Sequence, residues 1–483
     1  MHSLEQSTKL QKFDLIVIGS GSGLDVANAA YQRGLKVAVI EKDRMGGTCL
    51  NRGCIPSKLL IHSADIVETI KHASLFGINV HEYSIDFQKI VERVNGITDS
   101  NSDGIRNALE GIENPKLYSK EYKFIGPKTI AVSNNGDNHN DQVDSIITAD
   151  KILIAAGTRP RIPNIKGLEG SGYITSDEAL RLKEQPHTLT IIGGGYIACE
   201  LGHFFGALGT KINIVQNKDV LIPNEDEEIS EKFTQIFSKK YSVYVGYETE
   251  SVSKKRSDDD SNLFQVLANK KSTGDSLELA SDQLLIAAGR IPNSDTLDLQ
   301  KTGVKADEKN FIKADMYLET NVNGIFALGD IVGRYLFKHN ANHEAQYAFN
   351  NILHPEGKIP VDYTAMPHAI FSSPQVASVG FKEQELKREG TIEYKKSVYY
   401  YINTAMGQAL EDRDGFVKFL VNSKTRNILG CHIIGSQASI LIHEVLVAMK
   451  AADSYDGTID NITKTVHIHP ALSEVVARAA SDI

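Results

Sequence analysis

The sequence predicts an α/β fold made of two nucleotide-type units and a closing α+β domain. Three observations predict it. A β-branched run, Phe13 to Ile18, leads straight into Gly19-Ser20-Gly21-Ser22-Gly23 and then a helical stretch. The same order recurs at Thr188 to Ile192, followed by Gly193-Gly194-Gly195-Tyr196-Ile197-Ala198. From about Pro360 the composition shifts to separated strand-like runs with no glycine loop.

The chain has 483 residues, enough for about three domains. At 41% hydrophobic and 23% charged it has the composition of an ordinary globular protein. No eighteen-residue apolar run occurs, so no membrane-spanning helix is expected. Met1 to Lys12 is polar and lacks an apolar signal core, so secretion is not expected. Four cysteines in so long a chain do not make a disulfide scaffold. They fit a cytoplasmic compartment, where a disulfide is more often catalytic than structural. A net charge of −9 without a long basic stripe argues against nucleic acid as a partner. No metal site is expected.

In the first unit, Leu24 to Arg33 reads as a helix, Gly34 ends it, and Lys36 to Ile40 is a second strand closing on Glu41. A strand, a glycine loop, a helix and a strand ending in an acid about twenty residues on form the dinucleotide-binding, Rossmann-like pattern. Gly19 would make the tight turn, and Gly21 would let a pyrophosphate approach the helix N-terminus. Glu41 could accept a ribose hydroxyl. The third glycine of the pattern falls at position 24, where Leu24 stands. That glycine serves helix–strand packing, so helix placement is left open while phosphate binding is not.

Gly46 to Lys58 carries Cys49 and Cys54, with Gly53 beside the second cysteine and Pro56 just past it. The run Leu59 to Ile70 has helical spacing. In a regular helix residues i and i+5 are about 7.5 Å apart along the axis. A disulfide needs Cα atoms within about 7 Å. A Cys49–Cys54 bond therefore requires a distorted turn, and Gly53 and Pro56 supply the irregularity. Alone, the pair says little and reads as two reduced, partly buried thiols; the motifs around it point to redox chemistry.

Asn101 to Leu109 reads as amphipathic helix, and Val132 to Val143, with Asn134 to Asn138, as a polar hairpin tip. Ile152 to Pro160 is a strand running into a turn, where the chain leaves the first domain. The second unit repeats the design, its helix running to Leu208 and its next strand from Lys211 to Val215. Two such loops in one chain suggest a two-electron relay between two cofactors, for instance a nicotinamide and a flavin. An acid at the end of the second strand would favour NAD, and an arginine NADP. Gln216 and Asn217 stand there, and the lack of arginine tips the expectation to NAD. The two residues could also only cap the strand. Lys254-Lys255-Arg256 and Asp258-Asp259-Asp260 read as a solvated hairpin. Leu284 to Asn293 echoes the run at 152 to 160.

Thr320 to Asp330 is a turn, a strand and an acid. Asp330 suits a polar ligand at the carboxyl edge of a sheet, or a helix N-cap. In the last part Ala369 to Phe381, Tyr394 to Ile402, Gly415 to Val421 and Ile428 to Ile434 are strand-like. Ile440 to Ala452 and Leu472 to Ala480 are helical. His469 and Glu474 could pair as a base and its orienting acid, or His469 could be a plain surface residue.

These motifs, in this order, resemble the flavin-dependent pyridine nucleotide-disulfide oxidoreductases over nearly the whole chain. Gly46 to Lys58 and His467 to Glu474 are similar to signatures of the dihydrolipoyl dehydrogenase branch, with Ala471 where Thr is usual. Leu336 to Ala345 and Ala409 to Asp412 resemble the mycothione reductase branch, which keeps a small-thiol disulfide reductase as the alternative. The resemblance implies an FAD-binding domain (1–157 and 286–355), an NAD-binding domain (158–285) and a dimerisation domain (356–483). It implies FAD across Gly19, Gly21, Glu41, Thr48, Gly157 and Asp330, with Lys58 by the flavin ring and paired with Glu200. It implies NAD at Gly193, Gly195, Ala198 and Gly289, on the side of Glu200. Cys49 would exchange disulfides with substrate, Cys54 would face the flavin, and His469 with Glu474 would act from the partner subunit of a homodimer.

The implied reaction oxidises dihydrolipoamide through a Cys49–Cys54 disulfide and FAD, with NAD as acceptor. Implied partners are lipoyl-bearing subunits of a 2-oxo acid dehydrogenase or glycine cleavage system, joined as separate chains because no lipoyl domain is read here. A flavoprotein subunit without thiol chemistry, or an NADH oxidase, is a reading of another class; it would not require His469 with Glu474. Relatives that use a second, C-terminal cysteine pair do not fit, since only Cys199 and Cys431 follow Cys54, far apart.

Overall fold

The computed structural model describes residues 10–133, 143–256, 262–451 and 456–483. The chain forms two compact units. The first comprises Met1–Pro56, Glu92–Arg161 and Arg290–Asp362, and the second Ser57–Val91, Ile162–Gly289 and Tyr363–Ile483. Among the described residues no helix is long and apolar enough to cross a membrane.

The first unit is built on a 7-stranded sheet. Its central strands Leu10–Ile18, Val37–Ile40 and Val143–Ile154 run parallel, with Lys116–Tyr118 at one edge and Ile325–Ala327 parallel to the end of Val143–Ile154. Leu15 to Ile18 and Val37 to Ile40 are 0% exposed. This is why the sequence shows unbroken β-branched runs there and no alternation: parallel strands are covered on both faces. Each such Leu, Ile or Val side chain, fully buried, contributes about 1.5–3 kcal/mol. Glu121–Gly126 and Thr129–Ser133 extend the sheet antiparallel. The polar tip expected at Asn134 to Asn138 lies outside the described residues, as do Asp258 to Asp260. The helix expected at Asn101 to Leu109 is the end of a longer one, Phe87–Glu110.

The two runs that echo each other in sequence are partners in space. Thr158–Pro160 pairs antiparallel with Arg290–Pro292, at the points where the first unit breaks off and resumes.

The second unit holds a 4-stranded parallel sheet, in the order Ser242–Val245, Lys211–Gln216, Thr188–Ile192, Gln283–Ile286. A 3-stranded antiparallel sheet is inserted in sequence between Ser242–Val245 and Gln283–Ile286. A 5-stranded antiparallel sheet closes the chain, backed by the helices Ala438–Lys450 and Glu474–Ser481, whose Leu441, Val445, Val475 and Val476 pack with Val417 and Phe419. The run Ala369 to Phe381, expected as one strand, is two, Pro367–Ile370 and Gln375–Gly380, folded back on each other. Ser372-Ser373-Pro374 between them makes the turn.

Lys418 ties parts of this unit together. Its side chain is 0% exposed and its Nζ donates to Asp226 Oδ1 at 2.8 Å and Glu383 Oε2 at 2.7 Å. Glu383 is buried, yet the hydrogen bonds from Lys418, Lys387 and Lys396 outweigh that burial and bring its pKa down to about 2.

Candidate redox and nucleotide sites

The cysteine turn breaks where the sequence places its irregularity. One helix, Gly47–Arg52, stops at Gly53, and a second, Cys54–His72, begins at once. The break brings the two side chains together: Cys49 donates a hydrogen bond to Cys54. The two are thiols here and not a disulfide, Cys49 half-buried and Cys54 exposed. That hydrogen bond, with burial adding to it, pushes the Cys49 thiol far above the ordinary range, while Lys338 pulls the other way. The hydrogen bond therefore keeps the proton on Cys49. Cys199 and Cys431 are fully buried, and burial pushes both thiols up, so neither is a nucleophile.

The first glycine loop lies against this turn. A Cβ on Gly47 would meet Gly21 Cα at 3.0 Å, and Gly46 N–H donates to Ser20 Oγ at 2.9 Å. Thr48 follows on the same short helix. Gly19 has φ +100°, and a side chain there would strike Ala155 O at 2.4 Å. A Cβ on Gly21 would meet nothing within 4 Å, and the same holds at Gly157. The backbone at Gly21 is thus open to a phosphate group at the start of the helix Gly23–Gln32. The close packing that the pattern assigns to position 24 falls on Gly23. A Cβ there would lie 2.9 Å from Val17 Cγ1 and 3.0 Å from Ala155 Cβ. Leu24 is half-buried and leaves helix placement intact.

Glu41 is held to the loop. Its Oε2 accepts from Ser20 N at 3.0 Å and Ser20 Oγ at 2.7 Å, and its Oε1 from Asp43 N at 2.9 Å. Asp330 does not cap a helix of any length; it follows the strand Ile325–Ala327 in a single tight turn, Gly329–Val332. Thr158 Oγ1 donates to its Oδ2 at 3.0 Å, and Arg290 Nε donates to that same Thr158 Oγ1 at 2.9 Å. Burial raises the Asp330 pKa; Arg290 and the Thr158 hydrogen bond only partly offset it. Thr158 and Arg290 were not read as site residues. Their signal was the echo between the two runs, which are the strands that bring them together.

The second unit holds the second loop. Gly193 has φ +118°, and a Cβ there would lie 2.3 Å from Ala287 O. Gly195, at the cap of the helix Tyr196–Ala207, is open, and Ala198 is 0% exposed. Gly289 has φ +108° just past the strand Gln283–Ile286. Gln216 lies under the loop, its Cδ 2.8 Å from where a Gly194 Cβ would stand, and its Oε1 accepts from Asn217 N at 2.9 Å.

Lys58 and Glu200 meet within this unit. Lys58 Nζ donates to Glu200 Oε1 at 3.0 Å and Oε2 at 2.8 Å, and lies 4.6 Å from the centre of the Phe371 ring. Phe371 N–H donates to Glu200 Oε1 at 2.9 Å, so the buried carboxylate is held from two sides. Lys58 stands one turn beyond Cys54 on the helix Cys54–His72. His469 and Glu474 also meet: Nδ1 faces Oε1 at 3.0 Å and Oε2 at 3.1 Å. The His469 side chain is 72% exposed. Its hydrogen bond, with help from Ala471 N–H, holds Glu474 below the usual carboxylate range. With Nδ1–H turned to Glu474, Nε2 is the atom left to take a proton. Among the described residues no group of three His, Cys, Asp or Glu is arranged to hold a metal ion.

Two family descriptions match: pyridine nucleotide-disulphide oxidoreductase over residues 13–345, and the dimerisation domain of the same enzymes over residues 366–480. The chain belongs to the pyridine nucleotide-disulphide oxidoreductases. Enzymes of this family use FAD and a nicotinamide nucleotide, and the loops at Gly21 and Gly195 are open enough to fit both groups. The chain is 33% identical to mycothione reductase of Mycobacterium tuberculosis, over 97% of this chain and 99% of that one. It is 34% identical to dihydrolipoyl dehydrogenase of Chlamydia trachomatis, over 97% and 96%. Among solved structures it resembles the HOCl-induced flavoprotein disulfide reductase RclA from Escherichia coli, with a TM-score of 0.84, 25% identity, and 98% of this chain and 100% of that one covered.

Proposed function

We propose that the protein is a homodimeric, cytoplasmic dihydrolipoyl dehydrogenase, in which Cys49 and Cys54 cycle between dithiol and disulfide. The domain roles would be those of the three-part division drawn above. The observation that carries this reading is the Cys49 to Cys54 hydrogen bond across the Gly53 break: two sulfurs already in contact need little motion to bond. The dimerisation-domain match supports the homodimer. Lipoyl-bearing subunits as partners belong to the same proposal.

In the forward direction His469 Nε2 of one protomer takes the proton of a substrate thiol bound at the cysteines of its partner. Glu474 holds the imidazole and steadies the charge it gains. The substrate thiolate attacks Cys49 sulfur, the Cys49–Cys54 bond breaks, and Cys54 leaves as thiolate. The second substrate thiol then attacks the mixed disulfide, freeing the oxidised substrate and leaving Cys49 as a thiol. One disulfide and one dithiol have exchanged places, and the atoms balance. When bound, FAD and the nicotinamide supply the two-electron transfer that restores the cysteine disulfide. Lys58, anchored by Glu200, would stand beside the flavin; Gly19, Gly21, Glu41, Thr48, Gly157 and Asp330 would hold it. Gly193, Gly195, Ala198 and Gly289 would hold NAD.

A second reading is favoured by one observation. The mycothione reductase match spans 99% of that relative at about the same identity. Run in reverse, the same residues would reduce a low-molecular-weight disulfide with a nicotinamide donor. A steady-state assay of the purified protein with NAD and dihydrolipoamide, against NADPH and NADH with the disulfides of mycothiol, bacillithiol and glutathione, separates the two. The first reading expects turnover of dihydrolipoamide at least a hundredfold above any of the disulfides, about 2.7 kcal/mol of discrimination. A preference for one of the disulfides would replace it with the second.

A further inference from the structure

Lys338 stands at the junction of three elements of the first unit. It opens the helix Lys338–Leu353 and is half-buried. Its Nζ donates to Ser22 Oγ at 2.8 Å, and Ser22 Oγ donates to Asn342 Oδ1, one turn along the same helix, at 2.9 Å. Ser22 belongs to the first glycine loop and is buried. Its neighbours Ser20 and Gly21 are the residues against which Gly46 and Gly47, the start of the Cys49 helix, rest. One short loop thus fixes both the ammonium and the turn that carries the sulfurs.

The placement runs against local preference. A lysine at the first position of a helix faces the positive end of the helix dipole, which is unfavourable. A neutral donor would tie Ser22 to this helix equally well. Residues that break a local rule mark places where something else is gained. Beside this shared loop, Lys338 favours loss of the Cys49 proton, and Cys54 opposes it. Cys54, first residue of its own helix, adds a helix start of the same sign.

We propose that Lys338 is a positioning residue for the reaction, its ammonium the counter-charge of the singly deprotonated Cys49–Cys54 pair, held in place by Ser22. This rests on the reading of Cys49 and Cys54 as a redox pair. In the reduced, singly deprotonated pair one proton and one negative charge are shared by two sulfurs, and Lys338 lets that state persist as the pH falls. His469, exposed on the second unit, acts in turnover and is left unchanged in the test.

The experiment follows alkylation of the two cysteines in the reduced holoprotein by iodoacetamide from pH 5 to 9, read peptide by peptide by mass spectrometry. Wild type is compared with Lys338→Met, Lys338→Gln and Lys338→Arg. The alkylation midpoint should rise by about one unit in the Met and Gln variants, about tenfold slower labelling at pH 6, and stay in place with Arg. Wild-type midpoints in both neutral variants would overturn the proposal. So would a shift in Met alone: Gln keeps a donor to Ser22, and its normal behaviour would mean that Lys338 serves only the hydrogen bond. Should the Met variant not fold, the Gln and Arg variants decide between the same outcomes. Oxidation of the wild type reads the underlying assignment separately. A pair that never closes to a disulfide defeats the redox reading; a pair that closes, with unmoved variant midpoints, defeats only the role of Lys338.

Discussion

At the first glycine loop a side chain on Gly19 would strike Ala155 O at 2.4 Å; at the second, one on Gly193 would strike Ala287 O at 2.3 Å. Both positions have φ above +90°, and two residues on, Gly21 and Gly195 are equally open. The loops diverge at the end of the following strand. Glu41 is charged and pinned by Ser20, whereas Gln216 is neutral and turned into its own turn beneath Gly194. In the proposed reading the shared part of the design would present backbone to a pyrophosphate, and the divergent part would set what each loop asks of a ribose. The first would offer a fixed carboxylate to hydroxyls, and the second a neutral amide.

The sharpest way to break the comparison is to fill each tight turn in turn. Gly19→Val forces a branched side chain into a backbone carbonyl at a positive φ, and it should yield protein without flavin colour. Gly193→Val should keep the colour and lose response to pyridine nucleotide, with turnover down on the order of 10²-fold or more. Absorbance at the flavin bands and nicotinamide-dependent reduction read the two losses separately. Loss of both properties in both variants would mean the loops do not serve separate cofactors.

A smaller change sharpens the difference at the strand ends. Gln216→Glu gives the second loop the acid that the first already has. The ratio of kcat/KM for NAD over NADP should rise about tenfold, because a carboxylate accepts from a ribose 2′-hydroxyl and repels a 2′-phosphate. An unchanged ratio would place nicotinamide selection elsewhere.

Much of this was legible in the sequence because it is local. Each nucleotide unit is a strand, a loop, a helix and a strand within about forty residues, and its glycines are forced by backbone approach that any such unit must make. The broken turn at Gly53 follows from Cys49, Gly53, Cys54 and Pro56 alone. What was not legible joins distant positions. Gly23 replaces the missing glycine at 24 only because Val17 and Ala155 close on it. Asp330 meets Thr158 from 172 positions away, and Ser22 meets Asn342 from 320. No periodicity reports such distances. The hairpin turn at Ser373-Pro374 was legible in principle; the apolar residues on both sides hid it.

The central claim is that Cys49 and Cys54 form one redox couple linked to a bound pyridine nucleotide. Alkylation of the holoprotein before and after anaerobic addition of NADH, read by mass spectrometry at each cysteine, tests it most directly. The account predicts that Cys49 and Cys54 resist labelling in the oxidised protein and become reactive after NADH, while Cys199 and Cys431 stay protected in both states. Equal labelling of Cys49 and Cys54 with and without NADH would contradict it.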